Sequence, residues 1–342
     1  MPGLLKPALI RLATGATLDR AEAEQVFGSI MEGEATDIET ASLLTALALR
    51  GETRDELAGA LAAMRARMVP VMAPAGAIDV CGTGGDGART VNISTAVAFV
   101  VAGSGVPVAK HGNRGASGGA GAADVLEALG VSTELPVARL EQLMRTAGAA
   151  FLFAPRHHPA LRHAAPVRTA LGFRTAFNLL GPLANPARVT RQLTGVFSAR
   201  WLEPMAEALA EAGSERAWLV HGVGLDEFSP EGASDVVALE YGAIRRFTVT
   251  PEEAGLRAWP KAALVGRTAA ENAASLMALL RGAAGAYRDT VLLNSAAALI
   301  VAGRAGDLRE GAVLAARALD RGAALAVLEA MRGGGDAPRA AA

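Results

Sequence analysis

From about residue 77 the sequence alternates short apolar runs, bounded by glycine or proline, with longer alanine-rich stretches, and no other feature constrains its fold as tightly. "AIDVCG", "VPVAK", "AAFLFAP", "RAWLVHG" and "IRRFTVT" have the length and composition of strands, and residues 94–103, 122–130, 137–147 and 201–213 have those of helices. A strand followed by a helix returns parallel to its predecessor, so repeated alternation builds a sheet with helices on its faces. An α/β domain with a central, largely parallel sheet is expected. No repeat of fixed period is superimposed on it.

The first 70 residues carry no strand pattern. "TDIE" (Thr36 to Glu39) and "TRDE" (Thr53 to Glu56) fit the capping box, in which a hydroxyl and a returning carboxylate satisfy free amides at a helix start. Behind them come Leu43, Leu44 and Leu47, then Leu57, Leu61 and Met64, at helical spacing. A small all-helical domain is expected there. The tail "RGGGDAPRAAA" (332–342) has the composition of a disordered end.

A chain of 342 residues with 51% hydrophobic content has material for two domains. Its 33 basic and 34 acidic residues leave a net charge of -1, which excludes a global drive toward nucleic acid or an anionic membrane. Any bound anion must be held by a local site. Cys81 is the single cysteine, so an intramolecular disulfide and a cysteine-based zinc cluster are excluded. The start "MPGLLKPALIRLATG" reads as no signal peptide, and the most apolar run (94–109) is broken by glycines and a proline, short of the roughly 20 residues of a spanning helix. A soluble cytoplasmic protein, with neither membrane nor nucleic acid as partner, is expected.

"DVCGTGGDGARTVNIST" (79–95) contains two partial phosphate-loop patterns. Gly82, Gly84 and Gly87 satisfy the dinucleotide spacing, but no helix begins within the motif and no acidic residue follows about 20 positions on. The nucleotide P-loop fails because Ala88 stands where its lysine belongs. What remains is a loop whose backbone can approach an anion, leading into "NIST", where Asn92, Ser94 and Thr95 offer side-chain oxygens and amides at a helix start. Glycines so spaced serve equally as a tight strand-to-helix connection. "AKHGNRGASGGAGAADVLEALG" (109–130) repeats the arrangement, with Lys110, His111, Asn113, Arg114 and Ser117 as donors. Lys110 is one of three lysines, with Lys6 and Lys261, in a chain that otherwise uses arginine. Two such loops at one edge of a parallel sheet mark where α/β proteins bind ligands.

Seven stretches, "GTGGDG", "NIST", "KHGNR", "ADVLEALG", "FLFAPRHHPALRHAAPVRTALGFRTAFNLLGPLANP" (151–186), "HGVGLDEFS" (221–229) and "RDTVLLNSAAALIVAG" (288–303), follow one another in the order and spacing of a known family. Over nearly its whole length the chain resembles the anthranilate phosphoribosyltransferases. The resemblance implies transfer of the phosphoribosyl group of 5-phosphoribosyl 1-pyrophosphate to the amine of anthranilate, releasing pyrophosphate, in tryptophan biosynthesis. It also implies a homodimer of the nucleoside phosphorylase/phosphoribosyltransferase fold type. Residues 1–72 with 165–185 would form the helical domain, and 73–164 with 186–331 the α/β domain.

Carried over residue by residue, the resemblance places Gly82, Gly85, Asp86, Thr90, Asn92, Ile93, Ser94 and Thr95, with Lys110, His111, Gly112, Asn113, Arg114, Gly115, Ala116, Ser117, Gly118 and Ala122, around the phosphorylated substrate. Gly82, Asn113 and Arg168 fall around anthranilate, and Ser94, Asp226 and Glu227 around magnesium, Mg²⁺. The chemistry is compatible: an ammonium is a compact charge for a phosphate, a guanidinium matches a planar carboxylate, and Mg²⁺ takes few hard oxygens when phosphates complete its shell. Arg168 is singled out by the resemblance alone, since Arg156, Arg162, Arg168 and Arg174 recur every six residues, on neither a helix face nor a strand face. No acid or base is assigned, because an aromatic amine is unprotonated at neutral pH. Family members commonly have hydroxyl residues at Gly118 and Ala122, and "HGVGLDE" is one residue shorter than the usual loop. Rival readings are a pyrimidine nucleoside phosphorylase-like enzyme, against which Arg168 and the Asp226-Glu227 pair speak, and a non-catalytic paralogue that binds nucleic acid or serves as an assembly subunit, against which the net charge and the same acidic pair speak.

Overall fold

The structure, a computed structural model, describes residues 5–115 and 119–333. The expectations at Ala116, Ser117 and Gly118, and those for residues 334–342, lie outside the described residues.

Four helices open the chain: α1 (Leu5–Ala13), α2 (Arg20–Glu32), α3 (Asp37–Arg50) and α4 (Arg54–Ala66). Thr36 and Thr53 cap α3 and α4 as their patterns predict, each hydroxyl accepting from the amide of the glutamate three residues on, which accepts in return from the threonine amide. Asp19 and Glu22 form a third such box at α2. Glu56 does more than cap. Buried in the core, it accepts from the amides of Leu18 (2.9 Å) and Thr53 (2.8 Å) and pairs with Arg50, tying the start of α4 to the α1–α2 link and the end of α3.

Strands and helices then alternate: β1 (Ile78–Gly82), α5 (Ile93–Gly103), β2 (Val108–Gly112), α6 (Ala122–Ala128), α7 (Val137–Thr146), β3 (Ala149–Phe153), α8 (Ala154–His157), α9 (Ala165–Leu171), α10 (Ala176–Leu183), β4 (Arg191–Gly195), α11 (Leu202–Glu211), β5 (Arg216–Gly222), β6 (Ser234–Glu240), β7 (Ala243–Val249), α12 (Ala269–Leu280), α13 (Ala286–Val301), α14 (Leu308–Asp320) and α15 (Ala323–Arg332). Arg332 is therefore helical rather than the first residue of a tail; its guanidinium bonds Glu329 at 2.8 Å and the carbonyl of Leu129.

The strands form one sheet in the order β3-β2-β1-β4-β5-β6-β7, parallel through the first five, with β6 and β7 antiparallel. The sequence pattern misses β4 and β6. In β4 the buried Gln192 and Thr194 bond each other at 2.6 Å, so a central strand carries polar residues where an apolar run is expected. β6 and β7 join through Tyr241 and Gly242, both at positive φ (49° and 87°), a two-residue turn without the usual Asn-Gly signature. Conversely, "AAFLFAP" stops being strand at Phe153, where α8 begins.

β5 shows how the layers form. Trp218 and Val220 point into a core shared with α5, α13, α14 and α15, while Ala217 and Leu219 join α1–α4, α9, α10 and α11 on the opposite face. The central ladder is uneven. β1 pairs with β4 over five residues, Ile78↔Arg191 to Gly82↔Gly195, and β2 with β3 over five, Val108↔Ala149 to Gly112↔Phe153. β1 and β2 share only Ile78↔Val108. Beyond that pair they part, and each leads into a glycine-rich loop.

Candidate active site

A cleft of about 820 Å³ lies at the C-terminal end of the sheet, between the loops after β1 and β2, the acidic loop after β5 and the segment entering α12. In the first loop Gly84, Gly85 and Gly87 sit at φ of 68°, 70° and 80°, a path that L side chains resist. Asp86 accepts from the amide of Ala88 at 2.9 Å, and the returning leg is pinned where Val91 donates to Leu264 (2.8 Å) and Gly266 to Arg89 (2.7 Å).

At the start of α5 the details differ from the sequence reading. Asn92 occupies the cap position without capping; its side chain donates to the carbonyl of Ala120 (2.8 Å) and accepts from Asn272 (3.0 Å), linking the two loops to α12. Ile93 and Thr95 have buried side chains, and the Thr95 hydroxyl is not part of the cleft wall. The expected side-chain oxygen from Thr95 is thus withdrawn by the turn of the helix, which points that side chain into the core. The Ser94 amide, one of the free donors of the helix end, meets Glu227 at 3.1 Å.

From β2, Lys110 is buried with its ammonium on the carbonyl of Val80 (2.7 Å) and on Ser94 Oγ (3.1 Å). Burial lowers its pKa, opposed by the negative charges of Asp79, Glu227 and Asp226. His111 is buried too, with Nδ1 3.1 Å from the carbonyl of Gly181 and its ring 5.1 Å from that of His158; burial pushes its pKa well down, so it is neutral. Gly112, Asn113, Arg114, Gly115 and Ala122 line the cleft. Arg114 carries its guanidinium on Glu127 (2.6 Å) and Asp124 (3.1 Å) of α6, and Asp124 also accepts from the amides of Gly115 (3.0 Å) and Gly121 (2.8 Å), which draws the ends of the second loop together.

Asp226 and Glu227 enter from the opposite wall, half-buried. Asp226 accepts from the amide of Gly84 at 2.6 Å, and its own amide donates to Asp86 at 3.4 Å. Burial, then the neighbouring charge of Asp86, pushes Asp226 up to about 7. Burial and Asp226 push Glu227 well up as well. Three carboxylates, Asp86, Asp226 and Glu227, and one ammonium, Lys110, thus converge on one cleft.

Of the eighteen positions expected around the phosphorylated substrate, fifteen are among the described residues; Gly82, Gly85, Asp86, Thr90, Asn92, Ile93, Ser94, Lys110 and His111 reach the same cleft as the second-loop residues named above. Arg168 does not line it. It lies on α9 with its guanidinium 5.4 Å from the ring centre of Phe177, desolvated and without a carboxylate partner among the described residues. Arg174, three residues past α9, is the arginine that approaches the first loop: a side-chain carbon added at Gly85 would lie 3.2 Å from its Nε. The sequence reading also passed over Arg89, Gly266, Arg267, Thr268, Ala269 and Asn272, which belong to the cleft wall. Nothing local marks them, because they reach the site through the bridge between residues 89–91 and 264–266.

Residues 6–68 match the model of the helical bundle domain of a glycosyl transferase family, and residues 75–325 match that of its α/β domain. The anthranilate phosphoribosyltransferase of Brucella suis is 53% identical over 325 residues, covering 95% of this chain and 96% of its own. The chain belongs to the anthranilate phosphoribosyltransferase family. Among solved anthranilate phosphoribosyltransferases, that of Thermus thermophilus superposes with a TM-score of 0.92 at 44% identity, covering 98% of this chain and 99% of the other. The Saccharomyces cerevisiae enzyme in complex with PRPP and Mg superposes at 0.89 with 27% identity, covering 98% of each chain. The expected helical domain and α/β domain with a mostly parallel sheet are those of this family of transferases.

Proposed function

We propose that this anthranilate phosphoribosyltransferase family member joins the anomeric carbon of 5-phosphoribosyl 1-pyrophosphate to the amine of anthranilate, giving N-(5-phosphoribosyl)anthranilate and pyrophosphate for tryptophan biosynthesis. The observation that carries the reading is the convergence of both glycine loops, Lys110 and the Asp226-Glu227 pair on one cleft. Backbone amides of the first loop and of the α5 start, with the Lys110 ammonium, bind the phosphate oxygens. The family resemblance gives the anthranilate carboxylate to Arg168, which stands on α9 outside the cleft wall, and sets Gly82 and Asn113 beside the ring. Orientation of the amine against the anomeric carbon and stabilisation of the departing charge supply the rate, with inversion at that carbon.

Asp226 and Glu227, with Ser94 Oγ, fit Mg²⁺. They are adjacent hard oxygen donors whose pKa values are raised first by burial and then by neighbouring carboxylates, and a dication offsets both. Among the described residues no group of three or more His, Cys, Asp or Glu side chains could hold a metal alone, which suits an ion whose shell is completed by substrate phosphates and water. When bound, Mg²⁺ would neutralise charge on the pyrophosphate oxygens. The protein would act as a homodimer in the cytoplasm; among the described residues no helix is long and apolar enough to cross a membrane.

Anthranilate fluorescence tests the reading directly. Purified protein with 5-phosphoribosyl 1-pyrophosphate should extinguish the signal only when Mg²⁺ is present. A folded protein that leaves the fluorescence unchanged refutes it.

A further inference from the structure

The parting of β1 and β2 is held open by side chains. In a regular parallel ladder continuing from Ile78↔Val108, the Val80 amide would donate to the Ala109 carbonyl and the His111 amide to the Val80 carbonyl. Each of three of these backbone groups has a side chain instead. The Ala109 carbonyl accepts from Asn185 Nδ2 at 2.8 Å, the His111 amide donates to Asp79 Oδ1 at 3.1 Å, and the Val80 carbonyl accepts from Lys110 Nζ at 2.7 Å. Asn185 Nδ2 also donates to Asp79 Oδ2 at 2.7 Å. The orientation of Asn185 is fixed, because its Oδ1 accepts from the Ala187 amide at 2.8 Å. Asp79 and Asn185 are 0% and 1% exposed and do not themselves line the cleft.

Burying a carboxylate in the middle of a sheet is costly unless its lone pairs are taken, and here they are taken by groups that ladder closure would claim. Were the strands to zip, the carbonyl that anchors Lys110 would be occupied by His111 N–H, and the ammonium would lose the bond that sets it beside Ser94. The outer edges of β1 and β2 cannot yield, since each is locked to its other neighbour over five residues.

We propose that Asp79 and Asn185 are positioning residues for phosphoribosyl transfer: together they wedge β1 from β2, spacing the two glycine loops and fixing the Lys110 ammonium between them to receive pyrophosphate oxygens. Asn185 follows α10, so the wedge also ties the segment carrying α9 and α10 to the strand that bears Lys110. The inference rests on the phosphoribosyl reading of the cleft for its ligand, and its test is independent of the acceptor.

The experiment is calorimetric binding of inorganic pyrophosphate with Mg²⁺ to the full-length protein, Asn185→Ala, Asp79→Asn, and Asp79→Asn combined with Asn185→Ala, each first shown folded by circular dichroism. Asp79→Asn sets an amide nitrogen against either the His111 amide or Asn185 Nδ2. Because the two side chains act as one wedge, removing both should cost less than the sum of the single losses. Pyrophosphate affinity should fall at least tenfold in Asn185→Ala and in Asp79→Asn, and no more than severalfold further in the double variant. In turnover, KM for the phosphoribosyl substrate should rise in Asn185→Ala while KM for anthranilate stays within twofold. Single variants with parental pyrophosphate affinity and only a lower melting temperature overturn the proposal, as do losses that multiply in the double variant. Parental protein that binds pyrophosphate but does not consume anthranilate sinks the acceptor assignment while the wedge, if the variants weaken binding, stands.

Discussion

Asp226 is enclosed by two glycines that press on different atoms of it. A side-chain carbon at Gly195 would lie 1.4 Å from the Asp226 carbonyl oxygen, whereas one at Gly82 would lie 2.3 Å from its carboxylate Oδ2. Backbone cannot give way as a side chain can. Gly195→Ala should therefore cost about 3 kcal/mol, the upper end of ordinary overpacking, in urea unfolding. Gly82→Ala should leave stability within about 1 kcal/mol, since the carboxylate can rotate, but should raise the Mg²⁺ concentration needed for half-maximal turnover. Equal stability losses in the two variants would refute the distinction. Asp79 makes a second case at this scale. Burial pushes its pKa up to about 6 from the ordinary 3.8, against the opposing effects of Asn185, Lys110 and the His111 amide. A carboxyl with a higher pKa folded than unfolded contributes stability that is full below about pH 4 and lost as pH rises through 6. At about 1.4 kcal/mol per pH unit, the loss is about 3 kcal/mol. Unfolding free energies taken from pH 4 to 7.5 should thus fall more steeply for the parent than for Asp79→Asn; parallel curves would contradict it. The side chain is kept at a cost in stability at neutral pH.

The capped helices differ in what their caps carry. Thr36→Ala removes one exposed box and should cost about 1 kcal/mol. Glu56→Ala leaves Arg50 and the Leu18 amide without their buried partner and should cost about 3–5 kcal/mol. Thermal melts of the two separate a cap from a junction, and equal shifts would reduce Glu56 to a cap. The same elements show what was legible in the sequence. Thr36, Thr53 and the strands ending at Gly82, Gly112 and Gly222 were readable because capping, period and glycine are local. β4 and β6 were not, since Gln192 and Thr194 satisfy each other across a buried face and Tyr241 replaces the usual turn residue. In the site, the two loops were visible as motifs, and the acidic pair through the family resemblance alone. Thr95 was misplaced by one step of helix rotation, and Asn272, Arg89 and Arg174 arrive from segments remote in sequence, which spacing cannot report.

For the molecule as a whole, Ile38 and Leu49 of α3 are 79% and 84% exposed, and Ile10 of α1, in the same N-terminal helical layer, is exposed too. Covering a large aliphatic side chain is worth about 1.5–3 kcal/mol, so these faces are where a second copy would gain most. For the proposed homodimer, Leu49→Glu should give monomer in light scattering and weaken dimerisation at least tenfold while the circular dichroism spectrum is kept. A Leu49→Glu protein of unchanged mass would move the interface elsewhere. The strand order carries a consequence of another kind. β1 sits at the centre of the sheet, yet its five-residue partner β4 lies 113 positions later, as Cys81 and Thr194 show where they meet. The N-terminal helices likewise wait for α10 and α11 to complete their apolar core. A chain leaving the ribosome must therefore hold an interior strand and its first helical layer unfinished through more than half of its synthesis, so productive folding is set by late-arriving segments and is intrinsically slow.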